Sequence, residues 1–187
     1  MSTRFINTKN NSDNIENRQR LIAFNLHLLE QAQALAAEHY SPGRPPYAGL
    51  VGSHLRHVIE HSEALLFPNL VGSVNYDARP RDADLETSPN LARARLQALQ
   101  RALTSTAAED LAAPLQVHGQ GGIEGEHRFQ VTSSMGRELA FVASHTIHHF
   151  AMLVGHCQQH GIPMPEGFGK AAATRAHELT VHKLACA

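Results

Sequence analysis

Residues Ser144–His156 read "SHTIHHFAMLVGH", four histidines set among Phe150, Met152, Leu153 and Val154. At a helical advance of ~100° per residue, His145 and His149 fall ~40° apart around the axis and ~6 Å apart along it, on one face. His148 lies ~60° to the other side, and His156 is about two turns further on, so neither converges with that pair as easily. The surrounding pattern predicts an amphipathic helix from about Ser134 to His160, stopped by Gly161 and Pro163. An i, i+4 imidazole pair on such a helix is half of a site, and the other half must come from elsewhere in the chain.

The second cluster lies upstream, in "GLVGSHLRHVIEHSEALLF", within a helix predicted from about Tyr47 to Leu70. His54, His57 and His61 share one face there, and His57 and His61 are again spaced i, i+4. His54 and His61 stand ~10.5 Å apart along the axis, too far for one ion. Two further helices are predicted. One runs from about Ser12 to Ala37, with Leu21, Ile22, Leu28, Leu29, Ala32, Leu35 and Ala36 on a 3.6-residue period broken by Asn25, and ends at "SPGRPPYAG". The other runs from about Pro89 to Leu103, opened by Ser88 and Pro89 as N-cap and first turn, with Leu91, Ala94, Leu96, Leu99 and Leu103 as its stripe.

Between these helices the chain reads differently. Residues 1–12 are polar and Asn-rich and are expected to be disordered. "GSVNYDARPRDADLETSP" is a long, charged connection, of the kind that is functional or mobile in compact domains. "LQVH" and "HRFQVT" flank a glycine-rich turn and predict a short β-hairpin between the third and fourth helices. The tail from Met164 predicts a loop and then a short helix. Four long apolar-faced helices with little strand place the chain in the all-α class, as an antiparallel four-helix bundle whose ligand site is built from side chains on facing helices.

Composition narrows the function. The 187 residues suit one domain, and 42% hydrophobic with 18% charged residues is ordinary for a globular protein. A net charge of -1 gives no electrostatic reason for nucleic acid or a membrane surface. No apolar run is long enough to span a bilayer, and the first twenty residues lack the apolar centre of a signal peptide, so a cytoplasmic location is expected. Cys157 and Cys186 are too few and too far apart for a disulfide framework or a CxxC zinc site. Histidine is the anomaly, at 14 residues.

Those residues support a divalent metal held by three neutral imidazoles, one from the second helix and two from the fourth, with open positions for water or a small-molecule substrate. Imidazole donors suit Zn, Ni, Co, Fe or Cu. The competing reading is of histidines that are merely half-exposed, or hydrogen-bonded to carbonyls in the core. Glu138 sits about two turns before His145 on nearly the same face, and Glu60 adjoins the second-helix cluster. Either can orient an imidazole or act as a base, or else simply pair with Arg137 or Arg56. Tyr76, Asp77, Arg79 and Arg81 can bring a phenol and two guanidiniums to the mouth of the bundle, where arginine clamps a carboxylate or phosphate; as a solvated loop they would only form local ion pairs.

The segments "GSHLRHVIEHSEALL", "NYDARPRD" and "RELAFVASHTIHHFA" resemble the DinB-like superfamily of four-helix-bundle metalloproteins, over about Arg18 to Gly161. That superfamily includes transferases and isomerases that use bacillithiol or mycothiol. The resemblance implies His57, His145 and His149 as the ligands, with His61 the alternative on the second helix because this chain carries His54 and His61 beside the expected position. It also implies a metal-dependent enzyme, a thiol-dependent S-transferase or a hydrolase, with Arg79 and Arg81 suited to the carboxylates of a low-molecular-weight thiol. A non-catalytic metal-binding or stress-related protein is the alternative. A homodimer is compatible with an exposed bundle face.

Overall fold

The computed structural model describes residues 3–185, with side chains from 14 to 184. Six α-helices and a small three-stranded sheet make it mainly helical. Helix α1 spans Thr3–Glu38, starting nine residues before the predicted Ser12. The helix span includes residues 3–12 of the Asn-rich segment. Residues 1 and 2 lie outside the described ones.

Helix α2, Leu50–Leu66, is shorter than predicted at both ends. Gly49 precedes it with φ 101°, a conformation closed to a helix and open to glycine, and Phe67 is turned out of the helix by the following Pro68. Gly52, in its first turn, lies against the backbone of Glu86: an added Cβ would stand 2.0 Å from the Glu86 carbonyl oxygen. A glycine there lets α2 seat closely on α3, Ala83–Thr87. Helix α4, Pro89–Ser105, starts as predicted, with the Ser88 hydroxyl accepting from the Leu91 amide at 3.2 Å. Helix α5, Met135–Gln159, is capped by Ser134, and Gly161 follows it at φ 60°. Helix α6 is Ala172–Ala185.

The long helices pack α1 on α4 and α5, and α2 on the same two. This packing is consistent with a helical bundle. Its core contains Leu35 of α1, Leu55 and Ile59 of α2, Leu96 and Leu99 of α4, and Leu139 and Phe150 of α5, all nearly or wholly excluded from solvent. Among the described residues no helix is long and apolar enough to cross a membrane.

The expected hairpin is present. Strand β2, Pro114–Gly121, pairs antiparallel with β3, His127–Ser134, which leads directly into α5. The connection between α2 and α4 is more ordered than its sequence predicts. Strand β1, Ser73–Asn75, pairs parallel with β2, from Ser73 opposite Gln116 to Asn75 opposite His118. A 3-10 turn over Tyr76–Ala78 follows, with the Asn75 side chain accepting from the amides of Asp77 and Ala78 at 3.0 and 3.2 Å. Three residues are too few to show a strand period, so this ordering was not readable locally. It holds Tyr76 and Arg79 beside the face where α2 meets α5.

Candidate metal centre

Helices α2 and α5 present their histidines to each other. His57 Nε2 is 2.8 Å from His145 Nε2, which is 3.2 Å from His149 Nε2. Next along, His54 Nδ1 is 2.8 Å from His149 Nδ1. The pairing of 57 with 145 and of 54 with 149 makes the two helices antiparallel at this level. Among the described residues, His57, His145 and His149 are a group whose donor nitrogens all lie within 4.8 Å of one another.

The three nitrogens fit a metal ion. Four ligands at ~2.0–2.1 Å in a tetrahedron stand ~3.3 Å apart, and adjacent ligands of an octahedron ~3.0 Å apart. The two observed separations, 2.8 and 3.2 Å, lie close to these values. Imidazoles bind metals in the neutral form, and this site favours that form. Burial, then the neighbouring His61 and His149, the Arg79 guanidinium and His145, lower His57 to about 3. Burial, then His145 and His54, lower His149 to about 3. Burial, His148 and Arg79 lower His145.

These shifts give the metal-free protein an acid sensitivity. The ordinary histidine value is 6.5, so below it the unfolded chain takes up protons that the folded His57 and His149 refuse until about 3. Stability is complete above the unfolded value and is lost as pH falls through this window. The melting temperature of metal-stripped protein should therefore fall between about pH 7 and about pH 5, and fall less steeply in His57→Ala. A melting temperature that stays level or rises on acidification would contradict the burial argument.

His54 lies one step behind the triad. For His149 Nε2 to offer a lone pair, its Nδ1 must carry the hydrogen, and His54 Nδ1 is placed to accept it at 2.8 Å. Ligating imidazoles usually donate to a carboxylate or carbonyl, and losing that acceptor typically costs ~10–100-fold in metal affinity. His54→Ala should weaken zinc binding by about that factor in a competition titration, with stoichiometry kept at saturating zinc. An unchanged dissociation constant would remove His54 from this role.

His61, the alternative ligand, is placed differently. Its Nδ1 donates to the His57 carbonyl at 2.9 Å, and its buried ring stacks on Tyr76 with centroids 5.5 Å apart and planes at 12°. Phe141, one turn before His145 on α5, stacks on that ring at 5.6 Å and 19°. Phe141 thus lies against the triad directly and Tyr76 beside it through His61, a place for Phe141 that its i, i+4 spacing to His145 could have shown. His148 is exposed, its ring edge-on to His149 at 5.4 Å.

The carboxylates and arginines also fall into distinct places. Glu138 is buried, with the Tyr76 hydroxyl donating to its Oε2 at 3.0 Å, and Ser133 and Arg137 donating to Oε1 at 2.6 and 3.1 Å. Both oxygens are thus occupied, and Glu138 bears on the site through Tyr76, whose phenol is pushed well above its ordinary value by burial and by Glu138. Glu60 accepts from the Asp82 amide at 2.6 Å and pairs with Arg79 Nε at 3.6 Å, its side chain wholly buried. Arg79 also donates to the Tyr76 carbonyl at 2.8 Å. Its charge lowers His57, His61 and His145, which sets the guanidinium beside the triad. Arg81 is exposed at φ 54°, and its charge reaches Arg79. A groove of about 320 Å³ opens at Arg79 and Glu60, lined also by Phe67, Ser73 and His118 and by none of the triad.

Comparison with known proteins adds a partial likeness. No family model matches the chain, and no solved structure does. Over 119 residues, 64% of this chain, it is 30% identical to FK506-binding protein 5 of Rhizopus delemar. The match spans 31% of that protein, so the chain corresponds to about a third of its length.

Proposed function

We propose that this chain is a metal-dependent enzyme of the DinB-like superfamily, acting on a small molecule as a thiol-dependent S-transferase or a hydrolase. The observation that carries the reading is the convergence of His57, His145 and His149, whose Nε2 atoms approach at 2.8 and 3.2 Å from two facing helices. Three protein donors leave positions for water or substrate, the pattern of catalytic sites; structural zinc sites close with four. When bound, a divalent ion supplies Lewis acidity, lowering the proton affinity of a water or thiol and polarising the bond under attack.

The chain's own residues do the rest. His57, His145 and His149 arrive neutral, so no proton must be expelled before they ligate. Phe141 stacks on His145, and Tyr76 stacks on the neighbouring His61. Arg79 sets a fixed positive charge beside the triad, which favours substrates or thiols bearing a carboxylate or phosphate. Glu138 fixes Tyr76, and through it the ring of His61.

The test is turnover of a model electrophile by zinc-loaded protein, with and without an added low-molecular-weight thiol. Turnover that needs the thiol supports transfer, and turnover in water alone supports hydrolysis. Fully loaded protein inactive in both conditions, across several electrophiles, would replace the enzyme reading with a non-catalytic metal-binding protein.

A further inference from the structure

The small sheet divides its residues cleanly between two faces. Cross-strand partners point to the same side, so the register gathers Gln116, His118 and Gln120 of β2 with Thr132, Gln130 and Arg128 of β3 on one face. That face is polar throughout, and Gln116 donates to the Thr132 hydroxyl at 3.2 Å and accepts from Gln130 at 3.1 Å. The other face carries Val74 of β1, Leu115 and Val117 of β2, and Val131 and Phe129 of β3. Such alternation marks a sheet with one solvated and one covered face.

The cover on the apolar face is incomplete. Val74 and Leu115 are buried, whereas Val131 is 50% and Phe129 45% exposed, so burial ends between β2 and β3. Gly119, opposite Phe129, lets that ring lie across β2: an added Cβ would stand 2.4 Å from it. The side of β3 away from β2 is bare as well. The strand order β1-β2-β3 leaves β3 at the margin, and among the described residues no strand pairs with its outer side. Natural sheets blunt such an edge by shortness, a proline, a bulge or an inward charge. At the opposite margin β1 has only three residues, but β3 has eight, with no proline and an unbroken register against β2. Its one arginine, Arg128, lies on the polar face.

We propose that β3 is the interface of a homodimer, pairing antiparallel with β3 of a second copy to join two sheets into one. A second copy fits this edge for three reasons. An antiparallel edge is its own complement: a two-fold axis at Gln130 sets that residue opposite its counterpart and Phe129 opposite the partner's Val131, keeping polar with polar and apolar with apolar. Like charges do not meet, because Arg128 falls opposite the partner's Thr132. The hairpin tip, with exposed Glu124 and Glu126, reaches the start of the partner's α5, where exposed Arg137 offers the opposite charge. The same axis puts both helical bodies on the apolar side of the joined sheet, flanking the strip of Phe129 and Val131. The pairing involves none of the triad, so it holds whether or not the triad binds metal.

The test is sedimentation equilibrium of the full chain, wild type against Val131→Lys, with far-UV circular dichroism to check that the variant is folded. One chain weighs 20.4 kDa, and wild type is expected at about twice that mass. Val131→Lys should weaken association by at least ~10-fold, because pairing would bury its charge among apolar side chains. Mild oxidation of two cysteine variants then reads the register without relying on the lysine. Gln130→Cys, opposite its counterpart, should give a disulfide-linked dimer, and Thr132→Cys, opposite Arg128, far less. Both carry the native Cys157 and Cys186, so any linkage through those is common to the two. Wild type that stays monomeric up to about 100 μM, where even a micromolar dimer is largely associated, would overturn the proposal. So would a Val131→Lys dimer as tight as wild type, or equal crosslinking through both introduced cysteines.

Discussion

His145→Ala is expected to abolish stoichiometric metal binding at the triad. Its Nε2 is the middle member of the triad, 2.8 Å from that of His57 and 3.2 Å from that of His149, so its loss leaves two nitrogens with no common neighbour. Structural zinc sites with four ligands bind with ~10–16 kcal/mol in all, or ~3 kcal/mol per ligand, and ~3 kcal/mol is about a hundredfold in affinity. His57→Ala and His149→Ala should show losses of the same order. His61→Ala should retain the ion, because His61 is not one of the three histidines whose donor nitrogens gather within 4.8 Å of one another. Elemental analysis after dialysis against buffered zinc separates these outcomes. Full stoichiometric metal in both His145→Ala and His149→Ala would show that the triad is not the site.

The second large effect is on stability. Arg79→Met should destabilise the fold by about 3–5 kcal/mol, the usual consequence of leaving one member of a buried ion pair alone. The Glu60 side chain has no exposed surface, and Arg79, itself 15% exposed, is its cationic neighbour at 3.6 Å. What remains for the carboxylate after the substitution is the Asp82 amide. Pairing Arg79→Met with Glu60→Gln should recover most of the loss, since no buried charge is then left over. Urea unfolding of the two singles and the double completes the cycle. If Arg79→Met leaves the unfolding midpoint unchanged while raising KM, then Arg79 serves the substrate and contributes nothing to holding α2 against the following connection.

This pair shows where sequence reading reached its limit. Helix existence followed from apolar period and caps: Ser88 with Pro89, and Gly161 after α5, mark real ends. The i, i+4 spacing of His145 and His149, with a second cluster on another apolar-faced helix, pointed to the two helices that meet, while the choice of His57 on the second helix came only from the family resemblance. The hairpin followed from β-branched residues around glycines. Pairings across long gaps did not. Arg79 read as a substrate clamp or a member of local loop ion pairs because its partner Glu60 lies on another element, and β1 read as loop because its ladder is completed by β2, some forty residues later. His54 read as surplus to the triad, although its ring holds the far nitrogen of His149. In each case the information lies in the tertiary arrangement, which a local period does not carry.

The two walls of the triad are 88 residues apart in the chain, His57 to His145. At ~5–20 residues per second, a ribosome delivers the second wall ~4–18 s after the first. Throughout that interval the nascent α2 bears three histidines on a face that has not yet met its cover, together with the apolar side chains that flank them. Neutral imidazoles keep that face from being uniformly greasy, which lowers the hazard of premature association with other nascent chains. The same residues that gather donors in the finished protein therefore also temper its surface while it is being made.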